Sequence, residues 1–94
     1  MLDKPSDNST RIKSTSVQMI ERYVPMVRKA LEEIKPLYNN SKESQEVFEN
    51  AELYINDAEN FLKQGKDENA ILSIGYADGL VDALRMAKGI DPKI

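Results

Sequence analysis

The chain of 94 residues has no cysteine and no histidine. Without cysteine there is neither a disulfide to staple a small core nor a thiolate to hold a metal, and nothing argues for an oxidising compartment. Without histidine the commonest general base and the commonest metal ligand are missing. Ser-His and Cys-His nucleophile pairs are therefore excluded. So is the Glu-x-x-His ligand pair that builds carboxylate-bridged metal centres in helical bundles. No apolar run approaches the roughly 18 residues that span a bilayer, and the opening MLDKPSDNSTRIKS lacks the apolar core of a signal peptide. Basic charge is short as well. With 13 Lys and Arg against 16 Asp and Glu the formal net charge is −3, the opposite of the basic stripe a nucleic-acid binder shows. These absences predict a cytoplasmic protein that is not an enzyme, holds no cofactor or metal, and binds neither nucleic acid nor membrane.

What is present is helical periodicity. A chain this short makes one domain with a modest core. Residues 1–8, rich in Pro, Ser, Asp and Asn, read as a loose tail, and residues 9–94 as the folded unit. Val17, Ile20, Val24, Val27, Leu31, Ile34 and Tyr38 recur at alternating spacings of three and four, the stripe of a first helix. Pro25 interrupts that stripe and predicts a kink or a break. A second helix starts near Ser41, with an inner stripe of Val47, Ala51, Tyr54, Ala58 and Phe61 widened by Phe48, Ile55 and Leu62. Gly65 suits the left-handed residue that ends a helix, and Asp67 suits the N-cap of a third. That third helix runs to about Lys88, where Gly89 and then Pro92 stop it. No segment alternates with period two, so no strand is expected. The fold class is all-α, an up-and-down three-helix bundle.

The third helix carries more apolar surface than a core requires. At 100° per residue, Ala70, Ile74, Ala77, Val81 and Leu84 form a core face. Gly75, Gly79, Ala83 and Ala87 form a second row at a strict spacing of four. Such a row is a shallow groove, in which a neighbouring helix can approach closely enough to offset the cost of two helical glycines. Leu72, Tyr76, Leu80 and Met86 flank it. The first helix has a comparable extra stripe in Met19, Tyr23, Met26, Ala30 and Leu37. Two neighbours per helix explain part of this width. The rest marks Gly75, Tyr76, Gly79 and Ala83, with Met19, Tyr23 and Met26, as a surface for a protein partner or for a second copy in a homodimer.

One polar group stands out on the third helix: Asp78, Asp82 and Arg85 share an edge. Carboxylates at i and i+4 suit a hard cation or an acid/base pair. The simpler reading is salt bridges, from Asp82 to Arg85 and from the cluster to Arg28 or Lys29 of the first helix. The alternative function is a small-ligand or metal site around Asp78, Asp82 and Tyr76.

Two resemblances accompany these patterns. Tyr54, Ala58, Phe61, Gly65, Ala70, Ile74 and Ala77 fall at the packing positions of one tetratricopeptide unit, with Asp57 and Asp82 departing from it. A lone unit implies hairpin geometry and no solenoid. The string DAENFLKQGKDENAILSIGYADGLVDALRMAKGI resembles more closely the short archaeal proteins grouped as the domain of unknown function 357 family. Asp57, Ala58, Phe61, Leu62, Gly65, Ala70, Tyr76, Ala77, Gly79, Asp82 and Ala83 carry the match, while Lys66 and Asp78 depart from it. The resemblance implies a compact three-helix bundle in an archaeal cytoplasm, and it brings no catalytic residues.

Overall fold

A computed structural model of the chain describes residues 14–39 and 41–90. The tail expected over residues 1–8 and the stop expected at Pro92 lie outside them. Three helices occupy the described residues: α1 (Thr15–Ile34), α2 (Lys42–Lys63) and α3 (Asp67–Ala87), with a 3₁₀ turn at Lys35–Leu37.

Helix α1 opens on Ser14, whose side chain accepts a 3.1 Å hydrogen bond from the Val17 N–H and so satisfies one of the first-turn donors. The expected break at Pro25 does not occur; α1 is continuous through it. Pro25 lies on the exposed side, where its ring meets solvent. Six buried residues, Ile20, Val24, Val27, Ala30, Leu31 and Ile34, hold the opposite face on both sides of it. Their packing outweighs the roughly 3 kcal/mol that an interior proline costs. Pro36 then sits in the 3₁₀ turn that closes this segment.

Ser41 caps α2, accepting a 3.1 Å bond from the Ser44 N–H, with Glu43 in the positive first turn. The centre of its buried face differs from the sequence reading. Phe48, Ala51, Ile55 and Ala58 are buried, whereas Val47, Tyr54 and Phe61 lie half-buried at the flank. Both rows are apolar, so periodicity alone does not say which lies over the seam between the two neighbouring helices.

The α2–α3 connection is a Schellman turn. Gly65 has φ +76°, its N–H donates to the Leu62 carbonyl at 3.1 Å, and the Lys66 N–H donates to Phe61 at 2.8 Å. Because the motif uses Lys66, the next helix begins at once. Lys66, not Asp67, occupies the N-cap position of α3, and no side chain caps it. Asp67 and Glu68 instead sit within the first turn, where they complement the macrodipole. Gly89 repeats the turn at the far end: φ is +75°, and Ile90 N–H donates to Arg85 at 2.9 Å.

Side-chain pairs give the directions. Arg28 meets Glu59 at 3.0 Å, and Lys35, seven residues on, meets Glu52, seven residues back, so α1 and α2 are antiparallel. Along α1 and α3, Met19 shares a cleft with Ile71 and Leu37 shares one with Ile90, so those helices run parallel. The result is the up-and-down three-helix bundle. Its core centres on Ile20, Leu31, Ile55 and Val81, all nearly inaccessible to solvent. The expected core face of α3, from Ala70 to Leu84, is buried throughout.

Candidate interaction surface

Among the described residues α3 packs against α1 and α2, and together they leave its outward face uncovered. Gly75, Gly79, Ala83 and Ala87 are exposed. A Cβ built at Gly75 or Gly79 meets no atom within 4 Å. The groove expected to seat a neighbouring helix is therefore not filled by any described helix of this chain. The physical reason is circumferential. Ala77, at the centre of the core, and Gly79 are two residues and so about 200° apart.

Three of the four large residues flanking the groove are open too, while Leu80 is half-buried against the core. Leu72 is 73% exposed, Met86 61% and Tyr76 54%. Between Glu68 and Arg85 the only charged residues of α3 are Asp78 and Asp82, both half-buried on the side of α1. The outward face of α3 is thus uncharged over about four turns. Exposed helices of monomeric domains ordinarily carry their charge there.

On the α1 side, Met19 and Tyr23 are each 39% exposed and Met26 is half-buried. Met19 and Tyr23 line one shallow cleft with Gly75 and Asp78. The two sets of surface residues expected from the sequence are therefore adjacent across the α1–α3 seam, with Tyr76 turned to the other side. Tyr76 leans on Tyr54 of α2, with ring centroids 4.4 Å apart and planes tilted by 57°. Leu53, next to Tyr54, is 53% exposed and belongs to no apolar stripe. A lone leucine on a polar helix face carries no sequence signal.

Asp78, Asp82 and Arg85 do share an edge, facing α1. They line a cavity of about 90 Å³ with Tyr23, Met26, Val27 and Ala30. The salt bridges expected there differ in detail. Arg85 reaches Glu33 of α1, Nη2 to Oε1 at 3.9 Å. Asp82 Oδ1 and Arg85 Nε are buried with no hydrogen-bond partner. Arg28 turns to α2, bonding Glu59 at 3.0 Å and Asn56 at 3.3 Å, and Lys29 lines the α1–α2 groove. Helix α2 offers these basic side chains a row of carboxylates and amides, and α3 does not.

The alternative site of Asp78, Asp82 and Tyr76 is not assembled. Residues 76 and 78 stand about 200° apart on the helix, and Tyr23 takes the place expected for Tyr76 beside the carboxylates. Among the described residues no three acidic side chains converge as a metal site would need.

An all-helical bundle with an uncovered, uncharged outer helix face is the class these observations define. A family model described as protein of unknown function (DUF357) matches residues 22–90, from α1 to the turn after α3. The chain belongs to that family. No curated protein and no solved structure gives a match. No helix among the described residues is long and apolar enough to cross a membrane.

Proposed function

We propose that this chain is a non-enzymatic protein-interaction module whose binding surface is the outward face of α3 and the adjoining edge of α1. One observation carries the reading: Leu72, Tyr76 and Met86 are more exposed than buried around two glycines with open space above them. Covering one such side chain fully yields roughly 1.5–3 kcal/mol. A contiguous apolar face of this kind on a small domain is the mark of a docking surface. The missing histidine and cysteine support the non-enzymatic part of the reading. The acidic balance supports a protein partner over nucleic acid. We take the setting to be the cytoplasm of an archaeal cell, as the family resemblance implies.

The test compares the wild-type chain with Gly79→Arg, which adds a charge at the centre of the face without touching the core. Matched helicity and melting would establish that the variant folds. Loss of association, with itself or with protein from the native cell, is expected for Gly79→Arg. Equal association of the two chains would overturn the reading.

A small-ligand site is the second reading, favoured by the unpartnered Asp82 Oδ1 and Arg85 Nε beside one cavity. Size ranks it below the first: the cavity is about 90 Å³, against about 300–1,000 Å³ for ligand pockets in general. A rise in melting temperature with magnesium, calcium, manganese or zinc would support its metal form, and unchanged melting with all four would remove it.

A further inference from the structure

We infer that the groove between α1 and α2 binds a single-chain amphiphile with an anionic head, of which a fatty-acid carboxylate is the simplest. No residue of α3 lines this groove, so the inference stands apart from the interaction reading above. Shape, an unexplained proline and charge each point to this class of ligand.

Of the three seams of the bundle, that between α1 and α2 is the most sparsely packed. Where α1 passes the last turns of α2 it opens into a groove of about 700 Å³. The groove follows α1 from Glu21 to Glu32, which is about 16 Å. Size decides the kind of occupant. Nine residues line it, against about 20–30 on each side of a stable protein interface. Its volume falls within the about 300–1,000 Å³ of small-molecule sites. A long trench open to solvent suits an extended chain.

Val24, Pro25 and Leu62 supply the apolar lining. Pro25 gains a role here. Its ring is exposed, so the core does not account for a residue that a helix interior disfavours. In the groove the ring adds rigid apolar surface between Val24 of its own helix and Leu62 of the next, where an acyl chain would lie.

Charge selects the head group. The carboxylates of the groove are already engaged: Glu59 by Arg28 at 3.0 Å, Glu32 by Lys35 at 3.2 Å, and Glu21 also has a partner. Among the described residues this leaves Lys29 and Lys63 as lining cations with no carboxylate of their own. Arg28 is level with Glu59 and Lys35 with Glu52, and the same register sets Lys63 level with Val24. Lys29 and Lys63 therefore stand on opposite walls, about 7 Å apart along the groove. Their flexible four-carbon stems can converge on one anionic head. A cationic head would meet two ammonium groups.

The test titrates the isotope-labelled full chain with decanoate and with decylammonium, both below their micelle concentrations, and follows backbone amides by NMR. Saturable shifts at Val24, Arg28 and Leu62 are expected with decanoate. Decylammonium should bind about tenfold more weakly, and Lys29→Glu with Lys63→Glu should weaken decanoate by about the same factor. Both lysines are exposed, so matched helicity of that variant is expected. Pro25→Ala removes the ring and keeps the lysines; it should weaken decanoate while leaving the preference over decylammonium. Equal binding of the two amphiphiles, or no saturable shift with decanoate, would overturn the proposal. So would decanoate shifts centred on Leu72, Tyr76 and Met86, a result that leaves the interaction reading of α3 standing.

Discussion

The Tyr38 hydroxyl donates a 2.7 Å hydrogen bond to the main-chain carbonyl of Leu84, joining the chain reversal after α1 to the last turn of α3. That carbonyl belongs to the four at the helix end that lack intrahelical donors, because Lys88 N–H turns to Arg85 instead. The Tyr38 ring packs edge-on against Phe48 of α2, centroids 5.7 Å apart, and Lys88 Nζ lies 4.4 Å from its centre. A single side chain therefore touches both other helices. Tyr38→Phe keeps the ring and removes the hydrogen bond. It should lower stability by about 1 kcal/mol, seen in urea as a lower midpoint at an unchanged m-value. Tyr38→Ala loses the ring contacts as well and should cost more.

The four glycines are not equivalent, and alanine separates them. Gly79 lies within α3 with open space where its Cβ would be, so Gly79→Ala should stabilise by about 0.8–1 kcal/mol through helix propensity. Gly65 sits at φ +76°, where a Cβ meets its own backbone, so Gly65→Ala should cost about 1–2 kcal/mol. Thermal melts at low protein concentration, which keeps association out of the comparison, should move in opposite directions. Each kilocalorie corresponds to about 4–8 °C in a domain of this size. A drop in melting temperature for Gly79→Ala would mean that the groove is filled within the monomer after all.

The contrast between those glycines also shows where sequence reading stops. Gly65 and Gly89 are legible because a helix end is a local event: hydrogen bonds within six residues decide it. Core residues such as Leu31 and Ala77 are legible because periodicity of 3.6 places them on one face. Whether Gly79 meets a neighbouring helix depends on how many helices surround α3, which no local pattern states. The same limit explains Phe48 and Val47, two adjacent apolar rows of which packing buries one. It explains Arg28 too, whose reach to Glu59 rather than Asp78 follows from the side of α1 that faces α2.

Lys35 stands at the junction of α1 and α2, bonding both Glu52 and Glu32. The hydrogen bond to Glu52 raises its pKa above the ordinary 10.5, burial opposes this, and the bond to Glu32 and the charges of both carboxylates add to the rise. A pKa raised in the folded state stabilises fully below the unfolded value, and the contribution is lost as pH climbs through the folded value. The stability difference between wild type and Lys35→Met should thus be constant below about pH 10 and shrink above about pH 10.5. Partial exposure keeps the effect within about 0.2–1 kcal/mol. A difference that instead stayed constant above pH 10.5 would show that Lys35 acts through packing of its stem and not through its charge.

Asp82 offers the sharpest division between a structural and a ligand-binding role for the α1–α3 edge. Its Oδ1 is buried without a partner, as is Arg85 Nε, and an unmet buried polar atom costs about 1–3 kcal/mol. The adjoining cavity of about 90 Å³ has room for a larger side chain. Asp82→Leu removes the orphan acceptor and extends into that space, and Arg85 keeps Glu33 at 3.9 Å. Stability should rise by about 1 kcal/mol, measured by urea unfolding alongside Asp82→Asn, which keeps the shape and should change little. A loss of stability for Asp82→Leu in buffer free of small solutes would mean that Asp82 and Arg85 are joined in solution. Their edge would then be structural and not a ligand site.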